Sequence, residues 1–146
     1  MNTTYRENGG LRPRLAMFLV IPFLILAGAG CDILTGEYRY GDEFQLEKGK
    51  RALVGNDALI TFVRIVQDSR CPEPAVCVWA GDAEALLELK RSGMAPKRFS
   101  LHTHAGFTQD TVIDGITVEL LAVDPYPQEG EVIGPDEYRV TLRLTD

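Results

Sequence analysis

Residues 138–144 place Tyr138, Val140, Leu142 and Leu144 on one side of an extended chain, with Arg139, Thr141 and Arg143 on the other. Period-two alternation of this kind suits a half-buried strand and not a helix, whose apolar stripe repeats every 3.6 residues. The same signal, broken by turn residues, runs through most of the chain beyond residue 42. Phe44 and Leu46 alternate in a first short strand. Residues 59–67 (LITFVRIVQ) are rich in β-branched side chains and apolar on both faces, as a central strand would be. Residues 98–102 alternate through Phe99 and Leu101. Residues 116–123 (ITVELLAV) follow an Asp114-Gly115 turn, and 111–113 form the other arm of a hairpin.

One segment supports two readings. Residues 82–91 (DAEALLELKR) are strong helix formers, and Gly93 after them would cap a helix. The same residues alternate as Ala83, Ala85, Leu87 and Leu89 against Glu84, Leu86, Glu88 and Lys90. Their neighbours are all strands, and the run continues from Val78-Trp79-Ala80, so a strand is expected. About seven short strands separated by turns predict an all-β fold. The choice is a single antiparallel β-sandwich (immunoglobulin-like) or a small barrel, with one local disulfide loop. This domain is expected over 43–146.

What precedes it is of another kind. Residues 1–30 carry Arg6, Arg12 and Arg14 against Glu7, then an apolar run of thirteen residues, Leu15 to Ala27, broken only by Pro22. That run would rise about 20 Å as a helix, short of the roughly 30 Å hydrocarbon core, and it ends in small residues. A signal peptide is expected, with a retained membrane helix as the alternative. Removing it leaves 12 basic and 20 acidic residues, a net charge of −8 over 116 residues. So acidic a domain argues against nucleic acid and against basic-patch adhesion to anionic lipid.

The three cysteines are Cys31, Cys71 and Cys77. Residues 26–31 (LAGAGC) resemble a lipobox, which implies lipidation of Cys31 and a membrane-anchored lipoprotein, periplasmic or at the cell surface. Gly28 stands where leucine is usual, and Ala27-Gly28-Ala29 also reads as an A-x-A site that would release a soluble protein. If Cys31 is acylated, Cys71 and Cys77 remain as a disulfide pair suited to an exported protein. Residues 31–42, with Gly36, Gly41 and no apolar periodicity, read as a tether between lipid and domain.

The stretch Asp68-Ser69-Arg70-Cys71-Pro72, Cys77-Val78-Trp79, Gly81 and Ala83 resembles a group of small bacterial secreted proteins and lipoproteins with a D-S-R-C-P-x(4-5)-C-[VI]-W-x-G-x-A signature. Residues 123–127 (VDPYP) and 136–139 (DEYR) are similar to that group as well. The resemblance implies a compact β domain in the envelope and brings no activity with it.

Within this segment Trp79 is expected to pack over the disulfide as a core anchor, or else to be a contact residue. Asp68 and Arg70 are expected to form a structural salt bridge; the alternative is that Arg70 binds a partner. Tyr126, in a proline-flanked loop, is either a lid on the core or a contact. His102 and His104 share one face of a strand and form a candidate metal pair for copper or zinc, with Asp110 as the best third ligand. Serines are few and stand in no nucleophile motif, and no phosphate-cradling glycine loop occurs, so neither an enzyme nor a cofactor is expected. The leading expectation is a lipid-anchored envelope module that acts by binding or structural support, with a protein partner in the envelope. Metal binding through His102 and His104 is one alternative. A protease-inhibitor-like binder presenting the Cys71–Cys77 loop is another.

Overall fold

The computed structural model describes residues 1–2 and 34–146; the expected signal peptide and Cys31 lie outside the described residues. The architecture belongs to the unit Cys31–Asp146. Nine strands follow in order: β1 (Leu34–Tyr38), β2 (Glu43–Glu47), β3 (Arg51–Val54), β4 (Ala58–Asp68), β5 (Ala83–Arg91), β6 (Lys97–His102), β7 (Asp110–Ile113), β8 (Ile116–Asp124) and β9 (Arg139–Thr145). They form two sheets, β1-β3-β4-β5-β6 and β2-β9-β8-β7. The arrangement is a sandwich and not a closed barrel.

The alternation seen in sequence sorts the residues as expected. Val140, Leu142 and Leu144 are fully buried from one sheet, and Ile60, Phe62, Leu87 and Leu89 from the other. Each such side chain contributes about 1.5–3 kcal/mol through burial. Residues 83–91 are a strand despite their helix propensity. A helix would bury one stripe, whereas the strand buries Ala83, Ala85, Leu87 and Leu89 and pairs its backbone with β4 on one side and β6 on the other. Gly93, considered as a helix cap, sits instead in the β5–β6 turn with φ +77. The Asp114-Gly115 turn joins β7 to β8 with Ile113 opposite Ile116. Positive φ at both turn residues (53 and 83) matches the twist of a two-residue hairpin.

Residues 34–42, expected in the tether, differ. β1 pairs in parallel with β3 as an edge strand. Tyr38 stacks on Phe44 with centroids 4.5 Å apart, and Tyr40 donates to the Asp57 carboxylate at 2.8 Å. Burial, then the Asp57 hydrogen bond, pushes the Tyr40 phenol up to about 12. Gly36 and the flanking charges hide this strand from a periodicity search; Tyr38 at its end and Tyr40 just after it, not an aliphatic stripe, fix it to the core.

Candidate functional site

The β4–β5 connection (69–82), the β6–β7 connection (103–109) and the β8–β9 connection (125–138) meet at one end of the sandwich. Backbone pairing continues from β4 and β5 into the first of them, through Ser69 N–H to Asp82 O at 2.7 Å and Cys71 N–H to Ala80 O at 3.0 Å. Gly81 lies between these rungs with φ +72, and a Cβ there would stand 1.8 Å from the Ser69 carbonyl oxygen. The Cys71–Cys77 disulfide closes the tip. Glu73 donates to Pro127 O (3.0 Å) and accepts from Glu129 N–H (2.8 Å), clamping the ring to the β8–β9 connection.

Beneath the ring lies a buried ion pair. The Arg70 guanidinium meets Asp68 in two-pronged fashion, Nε to Oδ1 at 2.9 Å and Nη2 to Oδ2 at 2.6 Å. Its side chain is 5% exposed and that of Asp68 8%. The remaining donors reach Val123 O and, at 2.9 Å, Pro125 O. Tyr138 donates its hydroxyl to Asp68 at 3.2 Å, and the Tyr126 ring covers Arg70 at 5.1 Å. Burial pushes the Asp68 carboxyl up, but Arg70 outweighs it and the net is a lowered value. Burial and then the Asp68 charge raise the Tyr138 phenol. The expected structural salt bridge is therefore present, and Arg70 is not presented to solvent. Tyr126 is a half-exposed lid over that guanidinium.

Trp79 is not the core anchor expected of it. The interior at the root of the ring is occupied by Arg70, and Trp79 stands 72% exposed, beside Val76 at 99% and Val78 at 96%. Across from it, Phe107 is 58% exposed. Gln67, Ser69, Trp79, Asp82, His104 and Phe107 line a shallow cleft of about 270 Å³.

The two histidines are held by hydrogen bonds to other groups. Asp82 braces the end of β6, where His102 stands, and the turn after it, which holds His104. Its Oδ2 meets His102 Nδ1 at 2.7 Å, and its Oδ1 accepts from the backbone N–H groups of Thr103 and His104, both at 3.0 Å. His104 Nδ1 accepts from Gly106 N–H at 3.0 Å. Both imidazoles tilt against Phe107, at 5.1 and 5.8 Å. Asp110, the offered third ligand, pairs on β7 opposite Glu119. Among the described residues no group of three or more His, Cys, Asp or Glu side chains is placed to hold a metal ion. Sequence reasoning missed Asp82 and Phe107. Asp82 acts on residues about twenty positions away, so no local pattern marks it.

Burial pushes the Asp82 carboxyl up, while the hydrogen bonds from His102 and from the His104 backbone overcome this and leave it below its ordinary value of 3.8. A carboxylate depressed on folding stabilises the fold above its unfolded value, and that stability is lost as pH falls through the folded value. The melting temperature is thus expected to drop on acidification below about pH 4, with Asp68 and Asp82 both contributing. Asp82→Asn should cost about 1–3 kcal/mol at neutral pH and make the acid decline shallower. Melting curves between neutral and strongly acidic pH check both, and an unchanged acid decline in the variant would contradict the assignment.

No protein-family model matches the chain, and no curated protein or solved structure is detectably similar to it.

Proposed function

We propose that this protein is a lipid-anchored envelope module that works by binding rather than catalysis, and that its contact surface is the ring-bearing end of the sandwich. The observation that carries the reading is the exposure of Trp79, 72%, on a loop that is closed by a disulfide and clamped to a neighbouring loop. A large aromatic held rigidly in water loses little conformational freedom on binding, which favours contact. Burial of Arg70 moves the contact role away from that residue and toward Val76, Val78, Trp79 and Phe107. It also disfavours an inhibitor loop built on an exposed arginine. Anchoring draws support from the cysteines: pairing Cys71 with Cys77 leaves Cys31 as the one thiol without a partner in the chain.

Two measurements test the two halves separately. A fatty-acid probe should label the wild type and not Cys31→Ser; an unlabelled wild type would sink the anchor. A photo-crosslinking residue at position 79 should give adducts in cells that the same residue at Asn56, in the β3–β4 turn at the opposite end, does not. Equal yields at both positions would remove the contact surface.

A further inference from the structure

Exposed apolar side chains are concentrated at one end of the sandwich. Val76, Val78, Trp79 and Phe107 stand there with Val132, itself 93% exposed on the β8–β9 connection. Toward the opposite end, the large hydrophobics exposed among the described residues are Met94, at 46%, and Val112 on β7, at 64%. Such an arrangement needs an apolar or amphipathic medium to cover it, and the path of the chain indicates which.

β1 runs parallel to β3, and β3 runs antiparallel to β4. The start of β1 therefore points toward the end where β4 leads into the ring. Leu34 is level with Arg51 and Thr61, while Thr61 pairs with Glu88 and Asp68 with Ala83. Five β5 residues separate those levels, about 17 Å of strand. Only Asp32 and Ile33 lie between Cys31 and Leu34, and three Cα steps reach about 10 Å. An anchor at Cys31 is thus on a short leash that leads toward the apolar end and, at full stretch, spans about 10 of those roughly 17 Å.

Charge narrows the medium further. The exposed acidic and basic residues on the same connections are Glu73, His104, Glu129, Glu131, Asp136 and Glu137, five carboxylates and one imidazole, and the Arg70 guanidinium is buried against Asp68. Basic attraction to anionic headgroups is not available to these loops. What remains is partition of apolar and aromatic groups into the interface, where tryptophan is favoured for its amphipathic ring.

We propose that this end of the domain docks on the bilayer that holds the anchor, with Val76, Val78 and Trp79 seated among headgroups and upper acyl chains. The inference rests on the reading of Cys31 as lipid-bearing and of the ring as the contact surface. Three side chains bind a membrane only marginally by themselves, so the loop acts as the second of two membrane signals, fixing the orientation of a domain the lipid merely holds nearby.

The unit Cys31–Asp146 contains the whole core, and Trp79 is its sole tryptophan. With Cys71 and Cys77 oxidised, Cys31 is the one thiol that can be coupled to a maleimide lipid in phosphatidylcholine vesicles, independently of whether cells acylate it. On coupling, Trp79 emission should move to the blue, and brominated acyl chains should quench it about twofold, while aqueous iodide quenches it less. Val76→Asp/Val78→Asp changes two residues that pack against nothing and should return Trp79 to water in the coupled protein. Emission and iodide quenching unchanged by coupling would overturn the proposal, as would a blue shift that survives the double substitution. A crosslink from position 79 to an envelope protein, with Trp79 still unquenched by brominated lipid, would overturn it in favour of a protein partner. Absence of fatty-acid label in cells, beside quenching in coupled vesicles, removes the anchor reading and overturns docking beside an anchor, while the partition of the loop into a bilayer stands.

Discussion

Arg70→Met should destabilise the domain by about 3–5 kcal/mol in urea denaturation, the largest loss expected from any single side-chain truncation outside the apolar core. The size follows from what is left behind. Asp68 would stay 8% exposed with its charge uncompensated, and the carbonyls of Val123 and Pro125 would lose their donors. Removing one partner of a buried pair costs far more than the pair itself contributes, because the survivor keeps its desolvation penalty. The companion variants test this account. Arg70→Lys retains the charge but not the two-pronged geometry, and should fall between wild type and Arg70→Met. Asp68→Asn/Arg70→Met removes both charges and should recover part of the loss. If the double variant is no more stable than Arg70→Met, an unpaired Asp68 is not the source of the effect. Substitution should also loosen the β8–β9 connection, since Arg70 joins the end of β4 to residues more than fifty positions later.

Gly81→Ala is expected to cost about 2–5 kcal/mol, combining a left-handed backbone penalty with a steric overlap. The added methyl would sit 1.8 Å from Ser69 O and 2.7 Å from Arg70 Cα, both backbone atoms that no rotamer change can move. Gly93→Ala is the control. Its φ of +77 is nearly the same as the +72 of Gly81, and nothing lies within 4 Å of its Cβ position. It should lose only the backbone part, about 1–2 kcal/mol. Equal losses in the two variants would mean that the close approach of the two chain segments at Gly81 is absent in solution.

Much of the sandwich is legible in the sequence because strand alternation is a local property. The 138–144 pattern, the 59–67 run and the Asp114-Gly115 turn each carry their assignment within a few residues. The strands that escaped are the two weakest in pattern. β1 contains Gly36 and is held by tyrosines, and β3 has four residues, of which only Ala52 and Val54 face inward. Both lie toward one edge of the sheet, where less apolar surface is needed.

The site was legible in its ingredients and not in its arrangement. The cysteine pair and the Asp68–Arg70 pair lie close enough in sequence to be matched on chemistry alone. Trp79 and Arg70 could not be placed that way: Arg70 is buried and Trp79 is exposed. Arg70 is held inside by Val123 O and Pro125 O, which only folding brings there and which its several donors satisfy together with Asp68. The hydrogen bonds of His102 and His104 were not legible either: Asp82 and the Gly106 backbone engage one Nδ1 atom each.

The sequence alone thus determined the strand content, the hairpin and the short disulfide ring, all set by periodicity and chemistry within a few residues. The tertiary structure decided which residues of the ring face water. That depends on hydrogen-bond partners and steric neighbours drawn from three connections far apart in the chain, and no local pattern encodes their meeting.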